Sequence, residues 1–326
     1  MKKSLLLISS LCLFAFSAVA TEIPEGMGVL PAAVPVPADN PMTPAKIELG
    51  KKLYFETALS KSGQFSCNSC HNLGTWGVDN QKFSIGHKWK RGGRNAPTTL
   101  NSAFWSKQFW DGRAPLLEDQ AKGPPLNPVE MATVSEKEAV ARLEEAGYGP
   151  LFNDVFGKNS LTYDNMAKAI AAFERTLLTP NAPFDKFVRG EGDISKAAKR
   201  GMQKMADIGC TSCHSGPLFT NNEFINFDYG TDDGVKAVTG KDADDHLFRV
   251  QSLRNVAMTA PYFHDGSAAT LEEAVQIMAD VQLGTKLSKS DVSDIIAFLE
   301  TLTGEAPEVT FPVLPRPAGY TLDWQD

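Results

Sequence analysis

Histidine and cysteine are scarce in this chain, with five of each among 326 residues. So few cysteines cannot staple a protein of this size, which excludes a disulfide scaffold. Basic residues do not predominate: 32 Lys and Arg against 39 Asp and Glu leave a formal net charge of −7. A surface that neutralises phosphates needs the opposite balance, so non-specific nucleic-acid binding is excluded. Beyond the N-terminal segment no apolar run approaches the roughly 20 residues that a membrane-spanning helix requires. Hydrophobic residues at 42% and charged residues at 22% describe a globular chain. At roughly 100–200 residues per domain, the length favours two domains over one.

Residues 1–20 read as a signal peptide. Lys2 and Lys3 form a basic start, Leu5 to Phe16 an apolar stretch, and Ala18-Val19-Ala20 a cleavage site. The apolar stretch is short for an anchor. Cys12 follows Leu11, which is too bulky for the small residue that usually precedes a lipid-modified cysteine. The mature chain is expected to be exported, to a periplasm, with four cysteines.

All four fall in two copies of one motif, Cys67-Asn68-Ser69-Cys70-His71 and Cys210-Thr211-Ser212-Cys213-His214. In C-x-x-C-H both thiols add to haem vinyl groups and the histidine becomes the proximal iron ligand. A redox dithiol has no need of the histidine, and a four-thiolate zinc site leaves both histidines idle. Two copies behind an export signal therefore predict two c-type haems.

The halves share more than these motifs. Arg94-Asn95 precedes Phe109-Trp110-Asp111-Gly112 and Leu117-Glu118-Asp119; Arg254-Asn255 precedes Phe263-His264-Asp265-Gly266 and Leu271-Glu272-Glu273. Residues 170–177, IAAFERTL, answer 295–302, IIAFLETL. The common order indicates a duplication. The expected fold is mainly α, with two cytochrome c-like haem domains in tandem, residues 21–180 and 181–304, joined by long irregular loops. A Pro-rich tail, 305–326, is expected to pack back on the first domain. Thr43-Pro44 predicts a helix start. Met166, Ile170, Phe173 and Leu177 share one helical face, and Ser288 caps a helix bearing Val292, Ile295, Ile296, Leu299 and Leu302. Asp79–Arg94 and Leu218–Asp245 show no periodicity.

The distal ligand on each iron decides the function. A haem held by two strong ligands carries electrons, whereas one with a displaceable ligand can bind peroxide. Three other histidines remain, His87, His246 and His264. His87 lies in a Gly-rich loop and is either a removable ligand or a surface residue. Methionine is the other usual ligand and raises the haem potential; Met258 and Met278 both follow the second motif at workable spacings. Gln120 and Glu130 follow the first DG turn, and a buried glutamate beside a haem can move protons for bound peroxide.

These residues resemble the bacterial di-haem cytochrome c peroxidases over roughly residues 40–315. The segments that carry the resemblance are CNSCHN, DNQKFSIGHKW, RNAPTTLN, QFWDGRA, the stretch from Gln120 to Met131, NMAKAIAAFERTLLTP, GCTSCH, LRNVAMTAPYFHDG and the LGT at Leu283–Thr285. The resemblance implies a low-potential peroxidatic haem in the first domain, with His71 proximal and His87 distal in the resting state. It implies a high-potential haem in the second domain, held by His214 and Met278, with Trp110 between the haems. It implies Gln120 and Glu130 in the peroxide pocket, Glu130 as the acid–base group. It further implies one calcium ion held by Asn95, Thr259 and Pro261, a homodimer, and a small cytochrome c or cupredoxin as electron donor. A related subgroup that oxidises tryptophan on a partner protein has tyrosine where this chain has Met278. The rival readings are a plain di-haem electron carrier and a partner-modifying oxygenase or redox sensor; a high-spin haem in the half-reduced protein separates the first, and titrating candidate substrates against peroxide separates the second.

Overall fold

The computed structural model describes residues 22–316. The segment expected to be a signal peptide and the end of the tail lie outside them. Helices dominate. Among the described residues, the strands Phe224–Asn226 and Leu247–Arg249 form a single antiparallel pair, in the register Phe224↔Arg249. This pair arises partly from Leu218–Asp245, which the sequence leaves without periodicity. Strands of three residues are too short for alternation to be legible.

Buried apolar side chains gather in two main cores. One is drawn from residues 49–170, the other from residues 184–302. Each is organised by a crossing of two helices: Pro44–Phe55 with Tyr163–Glu174, and Lys196–Asp207 with Lys289–Glu300. Thr43, Thr162, Ser195 and Ser288 cap these four helices by accepting a backbone N–H with the side-chain hydroxyl. The helix of the 170–177 segment ends at Glu174, three residues short of the periodic pattern. Both crossings are made close by glycine. A Cβ on Gly50 would stand 1.8 Å from the carbonyl oxygen of Ala169, and one on Gly201 would stand 1.8 Å from that of Asp294.

Alanine in place of Gly201 gains up to about 1 kcal/mol of helix propensity. Forcing a backbone carbonyl apart costs typically about 1–3 kcal/mol and more where nothing can rotate away, so the clash wins. Gly201→Ala is expected to lower the thermal midpoint of the haem-loaded protein. An unchanged midpoint would contradict the close crossing.

The structure keeps the DG-turn match of the internal repeat and corrects its Arg-Asn match. Asn101, not Asn95, is the counterpart of Asn255. Both adopt a left-handed backbone with φ 60° at the start of a short 3-10 turn. Their backbone N–H groups donate to Leu177 and Leu302 respectively. Their side-chain oxygens accept from Thr179 and Gly304. The same offset pairs Pro97 with Gln251, Gln108 with Tyr262, Trp110 with His264 and Leu117 with Leu271. Gln108 and Tyr262 make matching bridges to Ala114 and Ala268. The Arg-Asn dipeptide is thus a coincidence of letters in the first half.

Contacts between the halves respect this pairing. Asn95 N–H donates to the His264 carbonyl at 2.7 Å, and its counterpart Arg249 donates to the Trp110 carbonyl at 2.9 Å. Asn101 and Asn255 both donate their side-chain amides to the buried Thr179 hydroxyl, at 2.7 and 2.9 Å. The described part of the tail runs over the first core: Phe311 meets Phe55 edge to face, and Lys52 Nζ donates to the Val313 carbonyl.

Candidate active site

Each C-x-x-C-H sits on a short helical turn at the wall of a cavity. Ser66 and Ser69 cap the turn Cys67–Cys70 reciprocally. His71 Nδ1 faces the Pro97 carbonyl at 2.9 Å, and Tyr54 donates its hydroxyl to the His71 carbonyl at 2.7 Å. In the second half, His214 Nδ1 faces the Phe219 carbonyl at 3.2 Å, and the Gln251 carbonyl lies beside the same ring. A carbonyl partner holds the proton on Nδ1 and leaves Nε2 as a lone-pair donor, the state that ligates iron. Burial lowers the pKa of both imidazoles and so keeps them neutral. Three of the four thiols sit where burial disfavours the thiolate. Burial pushes Cys67 well up, and Cys70 and Cys210 to about 11. A disulfide-exchanging cysteine needs a lowered value. The two cysteine pairs line different cavities, Cys67 and Cys70 the first and Cys210 and Cys213 the second.

The first cavity, of about 360 Å³, is lined by Cys67, Cys70 and His71 and, on other walls, by Gln120, Pro124, Asn127, Glu130 and Arg113. Gln120 and Pro124 come from the helix Leu117–Leu126, and Glu130 from the turn that follows it. Asn127 donates its side-chain amide to Glu130 Oε1 at 2.7 Å. Burial raises the Glu130 carboxyl, while Arg113 and Asn127 pull it down. Arg113 stacks on Phe109 at 3.5 Å and pairs with Asp111.

His87 is not part of this lining, although Ser84 and Gly86 are. Its backbone N–H donates to the Glu130 carbonyl at 2.8 Å, and its Nδ1 is buried without a partner. A Cβ on Gly86 would stand 2.2 Å from the Val129 carbonyl, so only glycine lets the loop lie this close to the Glu130 turn. Lys88 and Trp89 both take positive φ, 56° and 61°, which non-glycine residues rarely adopt.

The second cavity, of about 240 Å³, is lined by Cys210, Cys213, His214 and Met278. Met278 lies on the helix Leu271–Leu283. Met258 is 39% exposed and lies outside the lining, so geometry favours Met278. Met205, also in the lining, belongs to the core beside Cys210. The counterpart of Met278 in the helix Leu117–Leu126 is Pro124. The position that offers a thioether to the second cavity therefore offers none to the first.

Asn95, Pro97, Thr98 and Trp110 line both cavities. Trp110 donates its indole N–H to the Asn95 carbonyl at 2.9 Å and meets His264 edge to face. His264 stacks on Phe248 with ring centres 4.0 Å apart, and neither of its ring nitrogens has a partner. Arg249 is buried over Trp105 with Nη1 unpartnered. These orphaned polar atoms in the second cavity suit a ligand with an apolar body and acidic arms, as a haem has. Thr259 and Pro261 line the same cavity, near Asn95. Arg94 ties the halves together, donating to Asp111 on one side and twice to Asp232 on the other, each at 2.7 Å.

Residues 44–193 match the di-haem cytochrome c peroxidase family. The cytochrome c551 peroxidase of Nitrosomonas europaea is 44% identical over 301 residues, covering 88% of this chain and 90% of that protein. The chain belongs to the di-haem cytochrome c peroxidase family. It is an oxidoreductase of that class, and membership implies two c-type haems, one for each C-x-x-C-H. The cytochrome c551 peroxidase of Pseudomonas aeruginosa is 42% identical over 291 residues, 85% of this chain and 84% of that one. Among solved structures, a MauG-like protein associated with microbial copper homeostasis has a TM-score of 0.77 at 29% identity, covering 87% of this chain and 95% of its own.

Within this peroxidase two cavity residues escaped the sequence reading. Arg113 directly follows the DG turn where the second half has Ser267, a contrast that the matched DG turns already carry in the sequence. Arg249 hides in a strand too short to read. No helix among the described residues is long and apolar enough to cross a membrane.

Proposed function

We propose that this chain is a periplasmic peroxidase that reduces hydrogen peroxide to two waters with electrons from a small redox protein, working as a homodimer. The observation that carries this is the contrast between its two cavities. The second offers Met278 opposite His214. The first has Pro124 at that position and gathers Gln120, Glu130 and Arg113 instead. A permanent electron carrier needs a strong ligand at both irons, and the first cavity provides polar groups suited to peroxide in its place. The two cores, divided near residue 180, are read as two haem domains.

When bound, the haems supply two one-electron centres, so a two-electron reduction needs no radical on the protein. His71 and His214 hold the irons from one side, each with its Nδ1 proton fixed on a carbonyl. Met278 keeps the second centre at high potential. Trp110, in the wall of both cavities, shortens the path between the centres. The His87 ring lies outside the cavity lining in this structure; a shift of its loop would bring it in to close the first centre at rest, and the reverse shift would admit peroxide. The loop is built for such a change: its backbone is strained at Lys88 and Trp89, and it is anchored to the Glu130 turn through His87 N–H. Movement of this loop would therefore also move the Glu130 turn, and electron arrival would act by shifting the population between the two loop positions. Glu130 would move a proton from one peroxide oxygen to the other so that the O–O bond breaks and one oxygen leaves as water; the other oxygen would leave as the second water, with two electrons from the donor protein and two protons from solvent. Gln120 and Arg113 orient the peroxide and favour the departing charge.

Calcium fits the oxygen donors at the junction. The Asn95 amide nitrogen is used on the Gln81 carbonyl at 2.9 Å, which leaves its Oδ1 for a cation; Thr259 and Pro261, whose carbonyls the resemblance assigns to the ion, line the same cavity as Asn95. Asn95 also touches both His264 and Trp110, so an ion there stiffens the boundary that must change. Prolonged chelation is therefore expected to leave the first haem six-coordinate and low-spin in the half-reduced protein. Full peroxide turnover in chelator would remove calcium from the account. The function itself is tested by counting donor oxidised per peroxide consumed. Two one-electron equivalents per peroxide are expected, and peroxide loss without donor oxidation would contradict it.

A further inference from the structure

The helices Tyr163–Glu174 and Lys289–Glu300 carry the matched segments 170–177 and 295–302. In each, two side chains one turn apart reach the cavity of their own half. Ile170 and Glu174 line the first; Ile295 and Leu299 line the second. Isoleucine answers isoleucine. One turn later a carboxyl stands where the sister half has leucine.

Glu174 is 4% exposed, and its Oε2 is buried without a hydrogen-bond partner. Its neighbour Arg175 is committed elsewhere, donating to both oxygens of Glu118 at 2.7 and 2.9 Å. Glu118 also accepts from Asn40 at 2.6 Å, so that cluster is complete without Glu174. Burying a carboxyl with no partner costs stability. The sister half shows that an apolar side chain fills the position. A group that packing does not require, set at the wall of the reactive cavity, is retained for the proton it can hold.

We infer that Glu174 is a redox-linked proton site of the first haem, binding a proton as that haem gains an electron. The balance is simple. One electron from an external one-electron reductant enters the iron, one proton from solvent bonds to a Glu174 carboxylate oxygen, and no other bond changes. The inference rests on reading the first cavity as a haem site.

The charged and titratable groups that face Glu174 are Arg175 beside it, Glu118 on the helix Leu117–Leu126, Tyr54 on the helix Pro44–Phe55, and Cys67 on the attachment turn. Tyr54 is held neutral by burial, and Cys67 becomes a neutral thioether on attachment. Burial pushes the Glu174 acid up to about 8; Arg175 opposes this and Glu118 adds to it. An electron on the neighbouring iron raises its proton affinity further. Below that value Glu174 holds its proton in both redox states, and the potential is flat. As pH rises through it, reduction draws in a proton and the potential falls.

The test is a spectroelectrochemical titration of the holoprotein from about pH 6 to about pH 10, a range that spans the Glu174 value. The wild-type lower-potential wave is expected to fall above about pH 8, approaching a tenfold loss in the reduction constant per pH unit, ~59 mV for one electron. Glu174→Gln, and Glu174→Leu as the residue of the sister half, are expected to flatten that wave while leaving the upper wave unchanged. Glu130→Gln is expected to keep the slope. Redox-difference infrared spectra of the wild type supply a readout independent of any variant: a protonated-carboxyl band that grows on reduction above pH 8 and shifts in deuterium oxide. A slope that persists in Glu174→Gln, or no such band, overturns the inference alone. Failure to find two haem waves in the wild type overturns it together with the reading it rests on.

Discussion

Replacing Glu130 with glutamine is expected to lower peroxide turnover about 10²–10⁴-fold while both haems stay attached. Glutamine keeps the size of the side chain and can still accept from Asn127, but it cannot take or return a proton. The carboxyl lines the first cavity, and its environment is divided. Burial raises its proton affinity, whereas Arg113 and the Asn127 amide stabilise the charged form. A carboxyl in such balance can change protonation during a reaction without a large penalty in either state. The sign of the pH dependence follows. To accept the peroxide proton Glu130 must start as carboxylate, so wild-type turnover declines as pH falls through its raised value. That acidic limb should vanish in Glu130→Gln. Undiminished turnover, or an unchanged limb, would refute the acid–base role. Attachment of both haems in the variant is checked by visible absorption, which separates lost chemistry from lost cofactor.

Met278→His is expected to lower the potential of the second haem by a sizeable fraction of the about 0.8 V that axial ligands span. The consequence for the first haem is the informative part. If electron arrival at the second centre releases His87, a donor too weak to reduce the altered centre leaves the first haem low-spin and the enzyme inactive. A stronger reductant restores the high-spin signal. An unchanged potential would mean that Met278 is not the ligand. Met258, exposed and outside the cavity, is a poor substitute.

The parts of this protein written in covalent or strongly periodic signals were legible in the sequence. The two C-x-x-C-H motifs mark the cavity walls, and the capped helices at Thr43 and Ser288 start where their hydroxyls predict. Glu130 and Gln120 line the first cavity, Met278 the second, and Trp110 both. What stayed hidden depends on three-dimensional register. The Arg94-Asn95 and Arg254-Asn255 pairs look like a repeat, yet the backbone places Asn101 opposite Asn255. The side chains of Asn101 and Asn255 answer to Thr179 and Gly304, contacts that no local pattern announces. The DG turns and the segments 170–177 and 295–302 already set Ser267 opposite Arg113, Pro124 opposite Met278 and Leu299 opposite Glu174; that these positions face the cavities is what the structure adds. Those three contrasts separate a reactive cavity from an electron-transfer cavity. Burial was equally illegible: Arg249 looks like a surface cation in the sequence and is one of the largest fully buried side chains.

The central claim is that one haem opens when the other is reduced. The most direct measurement is a stepwise redox titration with calcium present, followed by visible absorption and EPR, with peroxide added at the half-reduced point. The account predicts that one haem reduces at high potential, that the other turns from low-spin to high-spin at that step, and that peroxide is then consumed. Two haems that stay low-spin throughout, with peroxide untouched, would make this chain an electron carrier and would contradict the roles of His87 and Glu130.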